Sequence, residues 1–200
     1  TPSLDDIGAD AFTTGMLMNA GVIDVVSDTL APYGENIPLV LDPVMFAKGG
    51  AALLQPDAID ALKKKLLPLA AVVTPNIPEA EHLAGMTIAG PDGMADAARR
   101  ILAMGCKAVL IKGGHMVGDS VTDLLLWDGG EERFTQKRLD TPHTHGTGCA
   151  LASAVATGLA QGLPLPDAVR RGRLYVRAAI EHAPGLGKGH GPLGHAHTLE

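Results

Sequence analysis

Short, continuous runs of apolar residues alternate with segments of helical periodicity along this chain, and this alternation limits the folds open to it. The runs at residues 39–41, 71–73 and 108–111 are apolar throughout, which is typical of strands buried on both faces. Residues 57–67 and 92–104, which lie between these runs, have helical periodicity. We therefore predict an α/β fold with a mainly parallel central sheet flanked by helices.

Two later segments and the beginning of the chain add to this pattern. Residues 121–138, with Asp-Gly-Gly near their centre, are expected to form an antiparallel β-hairpin, and residues 167–182 a final helix. Residues 1–10 lack the strand and glycine turn that would open a doubly wound fold, so we expect an N-terminal βα portion to be absent from this sequence. We interpret residues 1–200 as one domain.

Charge and cysteine content favour small-molecule chemistry over nucleic-acid binding. The chain has 16 basic and 22 acidic residues and a net charge of −6, and its longest basic run is the three lysines at residues 63–65. This balance disfavours non-specific binding to nucleic acid. Without a signal peptide or membrane-spanning segment, and with two cysteines at no metal-binding spacing, we expect a cytoplasmic protein. We interpret Cys106 as a packing residue, and Leu199-Glu200 as a possible cloning scar.

The sequence Thr-His-Gly-Thr-Gly-Cys at residues 144–149 leads into a small-residue segment, 150–158, and we predict a helix that starts at or just before Cys149. The backbone N–H groups of Gly146, Thr147 and Gly148 would then point toward one place, at the positive end of the helix dipole. Such an arrangement binds an anion, typically a phosphate. A thiol in this first turn would have a lowered pKa.

Polar residues follow three of the predicted strands. Asp42 comes after the first strand, Asn76 and Glu79 after the second, and Lys112 after the third. Ligands of open α/β sheets bind at the carboxyl ends of the strands, so we expect these residues to converge near the glycine turn. Asp42 and Glu79 suit magnesium, and Lys112 suits the phosphates. The combination indicates phosphoryl transfer, without a P-loop motif.

Five motifs, in this order, resemble those of hydroxymethylpyrimidine/phosphomethylpyrimidine kinases, which belong to the ribokinase-like superfamily. The resemblance extends from about Leu4 to His197. The motifs are Asp-Pro-Val-Met at 42–45, Thr-Pro-Asn-x-x-Glu at 74–79, Lys-Gly-Gly-His at 112–115, His-Gly-Thr-Gly-Cys at 145–149 and Gly-His-Gly-Pro-x-x-His-x-His at 189–197.

The resemblance implies an activity and its cofactors. Enzymes of this family use Mg-ATP to phosphorylate 4-amino-5-hydroxymethyl-2-methylpyrimidine and then its monophosphate, in thiamine biosynthesis. By resemblance, Asn76 and Glu79 organise magnesium, partly through water, Asp42 lies near the metal and phosphates, and Lys112 contacts the phosphates of ATP. The hairpin would lie near the adenine, and a homodimer is implied.

The resemblance also implies roles for the glycine turn and for the pyrimidine pocket. Residues 146–148 would form the anion hole, with Thr147 and Gly148 also contacting the nucleotide. Cys149 occupies the position at which many superfamily members have an aspartate base, so we expect it to act on the first phosphorylation and to contact substrate. Met16 and Val44 match positions that line the pyrimidine pocket.

The sequence departs from the family pattern in two places, and it leaves rival functions open. The family's N-terminal glycine-rich substrate loop is not in this sequence, and Thr13 stands where the family usually has lysine. Pyridoxal kinase and hydroxyethylthiazole kinase share the superfamily's core. An inactive nucleotide- or pyrimidine-binding module and a reactive-cysteine hydrolase are rivals of a different class. For the four histidines at 182, 190, 195 and 197, we favour a structural or pocket-edge role over metal binding.

Overall fold

The computed structural model describes residues 2–47 and 50–198, and the suspected cloning scar Leu199-Glu200 lies outside them. Within these ranges the strands are β1 Phe12–Thr14, β2 Leu39–Leu41, β3 Val72–Val73, β4 Ala108–Ile111, β5 Ser120–Trp127 and β6 Gly130–Lys137. The α-helices are α1 Pro2–Asp6, α2 Ala20–Leu30, α3 Pro56–Ala61, α4 Ile77–Ala84, α5 Gly90–Leu102, α6 Thr147–Ala160 and α7 Leu165–Glu181.

The six strands form one sheet in the order β1-β2-β3-β4-β5-β6. The first four strands are parallel, while β5 runs antiparallel to β4 and pairs with β6 as a hairpin. The predicted α/β architecture, the three apolar strands and the hairpin are therefore confirmed. Because β5 is reversed, its first residues lie at the same edge of the sheet as the carboxyl ends of β1 to β4.

Each face of the sheet is covered by its own set of helices. Leu41, Val73 and Val109 point into one core, which also contains residues of α2, α3, α4 and α5. Val40, Val72 and Leu110 point into the opposite core, formed with α6 and α7. Adjacent strand residues thus serve different cores, which explains why these strands are apolar throughout rather than alternating.

The helix predicted over residues 57–67 is confirmed in position but is irregular. The α-helix ends at Ala61, and residues 62–66 continue as a π-helical turn in which Leu67 N–H donates to Leu62 O. Pro68 follows directly, in a short 3₁₀ segment, Leu67–Leu69. Proline supplies no N–H, so the helical hydrogen-bond pattern cannot continue regularly here, although Leu67 before it keeps α-helical backbone angles.

Strand β1 and helix α2 were not predicted from the sequence. Strand β1 has a single large apolar residue, Phe12, and is fixed by its pairing with Leu39–Leu41 of β2. Helix α2 begins at a side-chain cap, where the Oδ1 atom of Asn19 accepts from Val22 N–H at 3.0 Å. None of the helices in the described ranges is long and apolar enough to cross a membrane.

Helices α6 and α7 pack closely through small residues. A Cβ added at Gly158 of α6 would lie 2.7 Å from Ala168 Cβ of α7, so glycine is needed at this contact. At Gly172 of α7, an added Cβ would lie 3.3 Å from side-chain atoms of Leu151 and Val155. This tight pair fixes the start of α6, and with it the glycine turn, relative to the sheet.

Candidate active site

The predicted polar residues converge at the carboxyl ends of the parallel strands. Backbone hydrogen bonds between neighbouring strands continue just past the strand ends. Asp42 N–H donates to Thr14 O at 3.1 Å, and Lys112 N–H donates to Pro75 O at 2.8 Å. Asn76 and Lys112 form an isolated parallel bridge. These bonds extend the strand alignment into the loops, so the side chains that follow β2, β3 and β4 meet at one edge.

Lys112 and Asp42 form an ion pair at the centre of this edge. The Nζ atom of Lys112 lies 2.9 Å from Asp42 Oδ1, and the side chains are 16% and 3% exposed, respectively. Thr74 Oγ1 donates to the same carboxylate oxygen at 3.2 Å. A buried carboxylate held by a lysine and a hydroxyl has a fixed orientation, and the partly exposed lysine remains available to an anion.

The glycine turn lies directly against this ion pair. A Cβ added at Gly148 would lie 3.1 Å from Lys112 Nζ and 3.9 Å from Asp42 Oδ2. Gly146, which precedes the first residue of α6, has a φ of +84°, a backbone conformation that favours glycine. Helix α6 begins at Thr147, just before Cys149 as predicted, so residues 147–149 form its first turn, where backbone N–H groups lack intrahelical partners. A lysine ammonium and a helix N-terminus therefore face one space, which suits a phosphate group.

Asn76 and Glu79 form a capping box at the start of α4. Asn76 Oδ1 accepts from Glu79 N–H at 3.0 Å, and Glu79 Oε2 accepts from Asn76 N–H at 2.8 Å. Glu79 Oε1 also accepts from Met45 N–H at 3.4 Å, which connects α4 to the loop after β2. Burial raises the pKa of Glu79, an effect that Lys112 opposes. The sequence therefore located this carboxylate correctly but missed that both of its oxygens bind backbone N–H groups.

Asp42 and Glu79 provide a donor set that fits a magnesium ion. Both are carboxylates at one edge of the sheet, and the charge of Asp42 is close enough to raise the pKa of Glu79. Magnesium keeps several waters and is commonly held by one or two protein carboxylates together with substrate phosphates. Since the Glu79 oxygens already accept from backbone N–H groups, contact through water suits Glu79 better than direct ligation.

Cys149 lies in the first turn of α6, as predicted, but the expected lowering of its pKa is wrong. The side chain is exposed at the surface, yet the surrounding protein raises the pKa of the thiol. Partial removal from water is the main cause, followed by the charge of Asp42 and a hydrogen bond to its carboxylate, while Lys112 acts in the opposite direction. These effects together favour the protonated thiol.

The two predicted pocket residues follow the neighbouring strands β1 and β2. Met16 is 55% exposed, a large apolar side chain open to solvent. Val44 is partly buried and its N–H donates to Asp42 O at 2.9 Å. Both therefore lie at the edge that carries the ion pair, and their contact with a pyrimidine stays a prediction.

The remaining cysteine and the C-terminal histidines make mainly structural contacts. Cys106 is buried, and burial raises the pKa of its thiol to about 11. Tyr175 of α7 contacts His195 through a 3.0 Å hydrogen bond and lies 5.0 Å, between ring centroids, from His197. His182 stacks on His197 at a centroid distance of 5.7 Å. These rings fasten the C-terminal segment to α7.

Sequence reasoning missed two charged residues next to this site, Asp123 of β5 and Arg173 of α7. They form a buried ion pair, with Arg173 Nε 2.7 Å from Asp123 Oδ2. An aspartate that directly precedes three leucines in a strand was a detectable signal, because a charge at such a position requires a partner.

A parallel sheet between two helical layers, with an anion-binding helix start and a lysine beside a carboxylate, defines the class of small-molecule kinases with a ribokinase-like fold. The family model for phosphomethylpyrimidine kinase matches residues 2–194. The chain therefore belongs to the phosphomethylpyrimidine kinase family, and the assignment from the sequence motifs is confirmed.

Relatives of known name agree with this assignment. The chain is 48% identical over 188 residues to the hydroxymethylpyrimidine/phosphomethylpyrimidine kinase of Haemophilus influenzae, covering 90% of this chain and 68% of the relative. It is 47% identical over 195 residues to the thiamine biosynthesis bifunctional protein ThiED of Geobacter sulfurreducens, covering 98% of this chain and 40% of that longer protein. Among solved structures, an ADP complex of Bacillus subtilis pyridoxal kinase is similar, with a TM-score of 0.90 and 35% identity, covering 98% of this chain and 75% of that one.

Proposed function

We propose that this chain transfers the γ-phosphoryl group of ATP to 4-amino-5-hydroxymethyl-2-methylpyrimidine and then to its monophosphate. The observation that carries the proposal is the position of Lys112 Nζ at the glycine turn, 3.1 Å from where a Cβ of residue 148 would lie. Family membership supplies the substrate, and the ADP bound to the Bacillus subtilis relative supports ATP as the phosphoryl donor.

The anion turn and Lys112 would stabilise the transferring phosphoryl group. Backbone N–H groups of Gly146, Thr147 and Gly148 would donate to its oxygens, and the ammonium of Lys112 would balance the charge that develops. These groups are already held in place by α6 and by Asp42, so little reorganisation is needed during the reaction.

Asp42 and Glu79 would hold magnesium, with Asn76 fixing Glu79 through the capping box. When bound, the metal supplies charge neutralisation on the phosphates of ATP. Asp42 has a second role, since its carboxylate also orients Lys112 and accepts from the thiol of Cys149.

Cys149 would contribute to one of the two reactions. In the first, the nucleophile is a neutral hydroxyl group that must lose its proton. The sulfur of Cys149 would accept that proton as its own thiol proton passes to the Asp42 carboxylate, to which the thiol is hydrogen-bonded. In the second, the nucleophile is a phosphate oxygen that is already ionised near neutrality. We therefore expect Cys149→Ala to slow the first phosphorylation more than the second. Equal loss in both steps would indicate instead that Cys149 shapes the anion turn.

The proposal is tested by measuring ADP release with each pyrimidine substrate, with pyridoxal and with hydroxyethylthiazole, side by side. Turnover should be fastest with the pyrimidines. Faster turnover of pyridoxal, which the likeness to the Bacillus subtilis enzyme makes the main rival, would overturn the substrate assignment. ATP binding without ADP release would favour an inactive binding module.

Two further predictions come from the sequence. Addition of an N-terminal segment with the family's glycine-rich loop should raise turnover if residues of that loop complete the pyrimidine pocket beside Met16 and Val44. Homodimerisation stays a prediction that sedimentation equilibrium would test.

A further inference from the structure

A single buried carboxylate connects three parts of the fold beside the active site. Asp123 Oδ2 accepts from Arg173 Nε of α7 at 2.7 Å, and each of the two side chains is 9% exposed. Its other oxygen, Oδ1, accepts from the backbone N–H of Gly113 at 2.8 Å. Gly113 directly follows Lys112. The carboxylate therefore connects strand β5 and helix α7 to the turn that carries the active-site lysine.

Arg173 is itself held by groups other than Asp123. Its Nη2 atom donates to Phe134 O at 2.9 Å, and its guanidinium carbon lies 5.1 Å from the centroid of the Phe134 ring. Phe134 is the residue of β6 that pairs with Asp123 across the hairpin. The guanidinium therefore has a defined position, and the carboxylate that it contacts has a defined orientation.

The turn after β4 has little room to move. A Cβ added at Gly113 would overlap with Thr122 O of β5, so its backbone is pressed against the neighbouring strand and a side chain cannot be accommodated. Gly113 begins a short 3₁₀ turn, Gly113–His115, in which Met116 N–H donates to Gly113 O at 3.0 Å.

These contacts fix the backbone on both sides of Lys112. The peptide group before its Cα is held by the bond from Lys112 N–H to Pro75 O, at 2.8 Å. The peptide group after its Cα includes Gly113 N–H, which donates to Asp123. With both peptide planes held, the φ and ψ angles of Lys112 are set, and so is the direction in which its side chain leaves the backbone toward Asp42.

We propose that Asp123 and Arg173 are positioning residues for Lys112, a role that rests on the proposed kinase function. Neither residue is among the groups that would touch substrate or nucleotide. A buried ion pair contributes little net stability compared with well-packed apolar residues, so stability alone does not explain a charged pair here. A carboxylate does provide a charge-assisted acceptor that fixes the Gly113 N–H, and Arg173 holds that carboxylate in place.

The test separates positioning from stability by removing both charges together. Asp123→Leu or Arg173→Met alone leaves one buried ion without a partner and should lower both the denaturant midpoint and turnover. The double variant should recover part of the stability, yet its kcat should stay about tenfold or more below that of the wild type, with a smaller change in KM for ATP. Recovery of stability and turnover together would overturn the proposal.

Helix α7 offers a matched control, the exposed ion pair between Arg170 and Glu132. Arg170 Nη2 lies 2.7 Å from Glu132 Oε1. Like the pair of Asp123 and Arg173, this ion pair joins α7 to the hairpin, but it does not contact Gly113. The pair Arg170→Gln/Glu132→Gln should leave kcat within about twofold of the wild-type value. A loss of kcat equal to that of the Asp123 and Arg173 double variant would show that weaker packing of α7 on the hairpin, rather than release of Gly113, causes the effect.

A double-mutant cycle connects the effect to the lysine. In a Lys112→Ala background, loss of Asp123 and Arg173 should lower kcat by less than about twofold, because the group that they position is already missing. If the loss of kcat from the Asp123 and Arg173 substitutions were as large in the Lys112→Ala background as in the wild type, the proposal would be wrong. Should this double variant fail to fold, Asp123→Ala/Arg173→Met takes its place in the cycle, since it also removes both charges and the acceptor of the Gly113 N–H.

One measurement is independent of kinase activity. The Gly113 amide hydrogen should exchange slowly in the wild-type protein and at least about tenfold faster in the double variant, measured relative to amides of β2. An unchanged exchange rate of the Gly113 amide would show that Asp123 does not fix this N–H group, whichever substrate the protein uses. Absence of turnover in the wild-type protein would instead refute the kinase function.

Discussion

Gly148→Ala tests whether closeness of the glycine turn to Lys112 matters for phosphoryl transfer. The new Cβ would lie 3.1 Å from Lys112 Nζ, a contact that requires the ammonium to move by a few tenths of an ångström. Lysine is flexible, so the chain should still fold. Alanine also favours helix more than glycine, by about 0.8–1 kcal/mol, so we expect stability to be unchanged or slightly higher.

The loss of activity has a lower and an upper limit. If Nζ moves so that its 2.9 Å contact with Asp42 lengthens to about 3.3 Å, the Coulomb energy at an effective dielectric constant of about 20 falls from about 5.7 to about 5.0 kcal/mol. A comparable weakening toward a transferring phosphoryl group is about 0.7 kcal/mol, or about threefold in rate. If the methyl group also keeps the phosphate from one backbone donor, the loss rises to about 10²–10³-fold.

Gly21→Ala is the matched control, because Gly21 is the second residue of α2 just as Gly148 is the second residue of α6. A Cβ at Gly21 has its nearest contact at 3.4 Å, with Asn19 Oδ1. Steady-state ADP release and thermal unfolding are measured for both variants. Turnover of Gly148→Ala as fast as that of the wild type would show that the approach of the turn to Lys112 does not matter. An equal loss in Gly21→Ala would show that the effect is not specific to the turn.

Four further predictions concern Lys112, Glu79 and the two cysteines. Lys112→Ala should lower kcat by about 10²–10³-fold, since it removes the charge beside the anion turn, and an unchanged kcat with a raised KM for ATP would contradict this. Glu79→Gln should raise the magnesium concentration needed for half-maximal turnover. The pKa of Glu79 is higher in the folded protein than in the unfolded chain, so the folded state binds the proton more tightly. In magnesium-free buffer, the wild type should therefore lose stability relative to Glu79→Gln as the pH rises above about 4.3, the pKa of an unperturbed glutamate. A difference in denaturant midpoints that does not change with pH would contradict this. Iodoacetamide should alkylate Cys149 in the native protein, but more slowly at pH 7 than it alkylates free cysteine, because the pKa of the Cys149 thiol is raised. The buried Cys106 should react only after unfolding. Mass spectrometry of timed samples measures the alkylation of both cysteines.

The parts of the fold that local patterns determine could be predicted from the sequence. Strands β2, β3 and β4 are apolar throughout because each contributes to two cores, and this is visible in the residues themselves. The hairpin is likewise indicated by its turn residues. Convergence of Asp42, Glu79 and Lys112 followed from a general property of parallel sheets.

Tertiary contacts account for what the sequence did not reveal. Strand β1 is recognisable only through its pairing with β2, because two of its three residues are threonines. The prediction for Cys149 considered the helix dipole alone, and its carboxylate neighbour, Asp42, is far away in the sequence. The partnership of Asp123 with Arg173 likewise depends on how α7 packs on the hairpin.

Several contacts that build the candidate active site join residues that are far apart in the chain. Lys112 and Asp42 are separated by 70 positions, Glu79 and Met45 by 34, and Arg173 and Asp123 by 50. We expect such contacts to form late in folding, because the chain loses loop entropy before they can stabilise it. Nucleotide binding during refolding should therefore appear together with the final ordering of the sheet, and fluorescence of a bound nucleotide analogue would serve as a probe of complete folding.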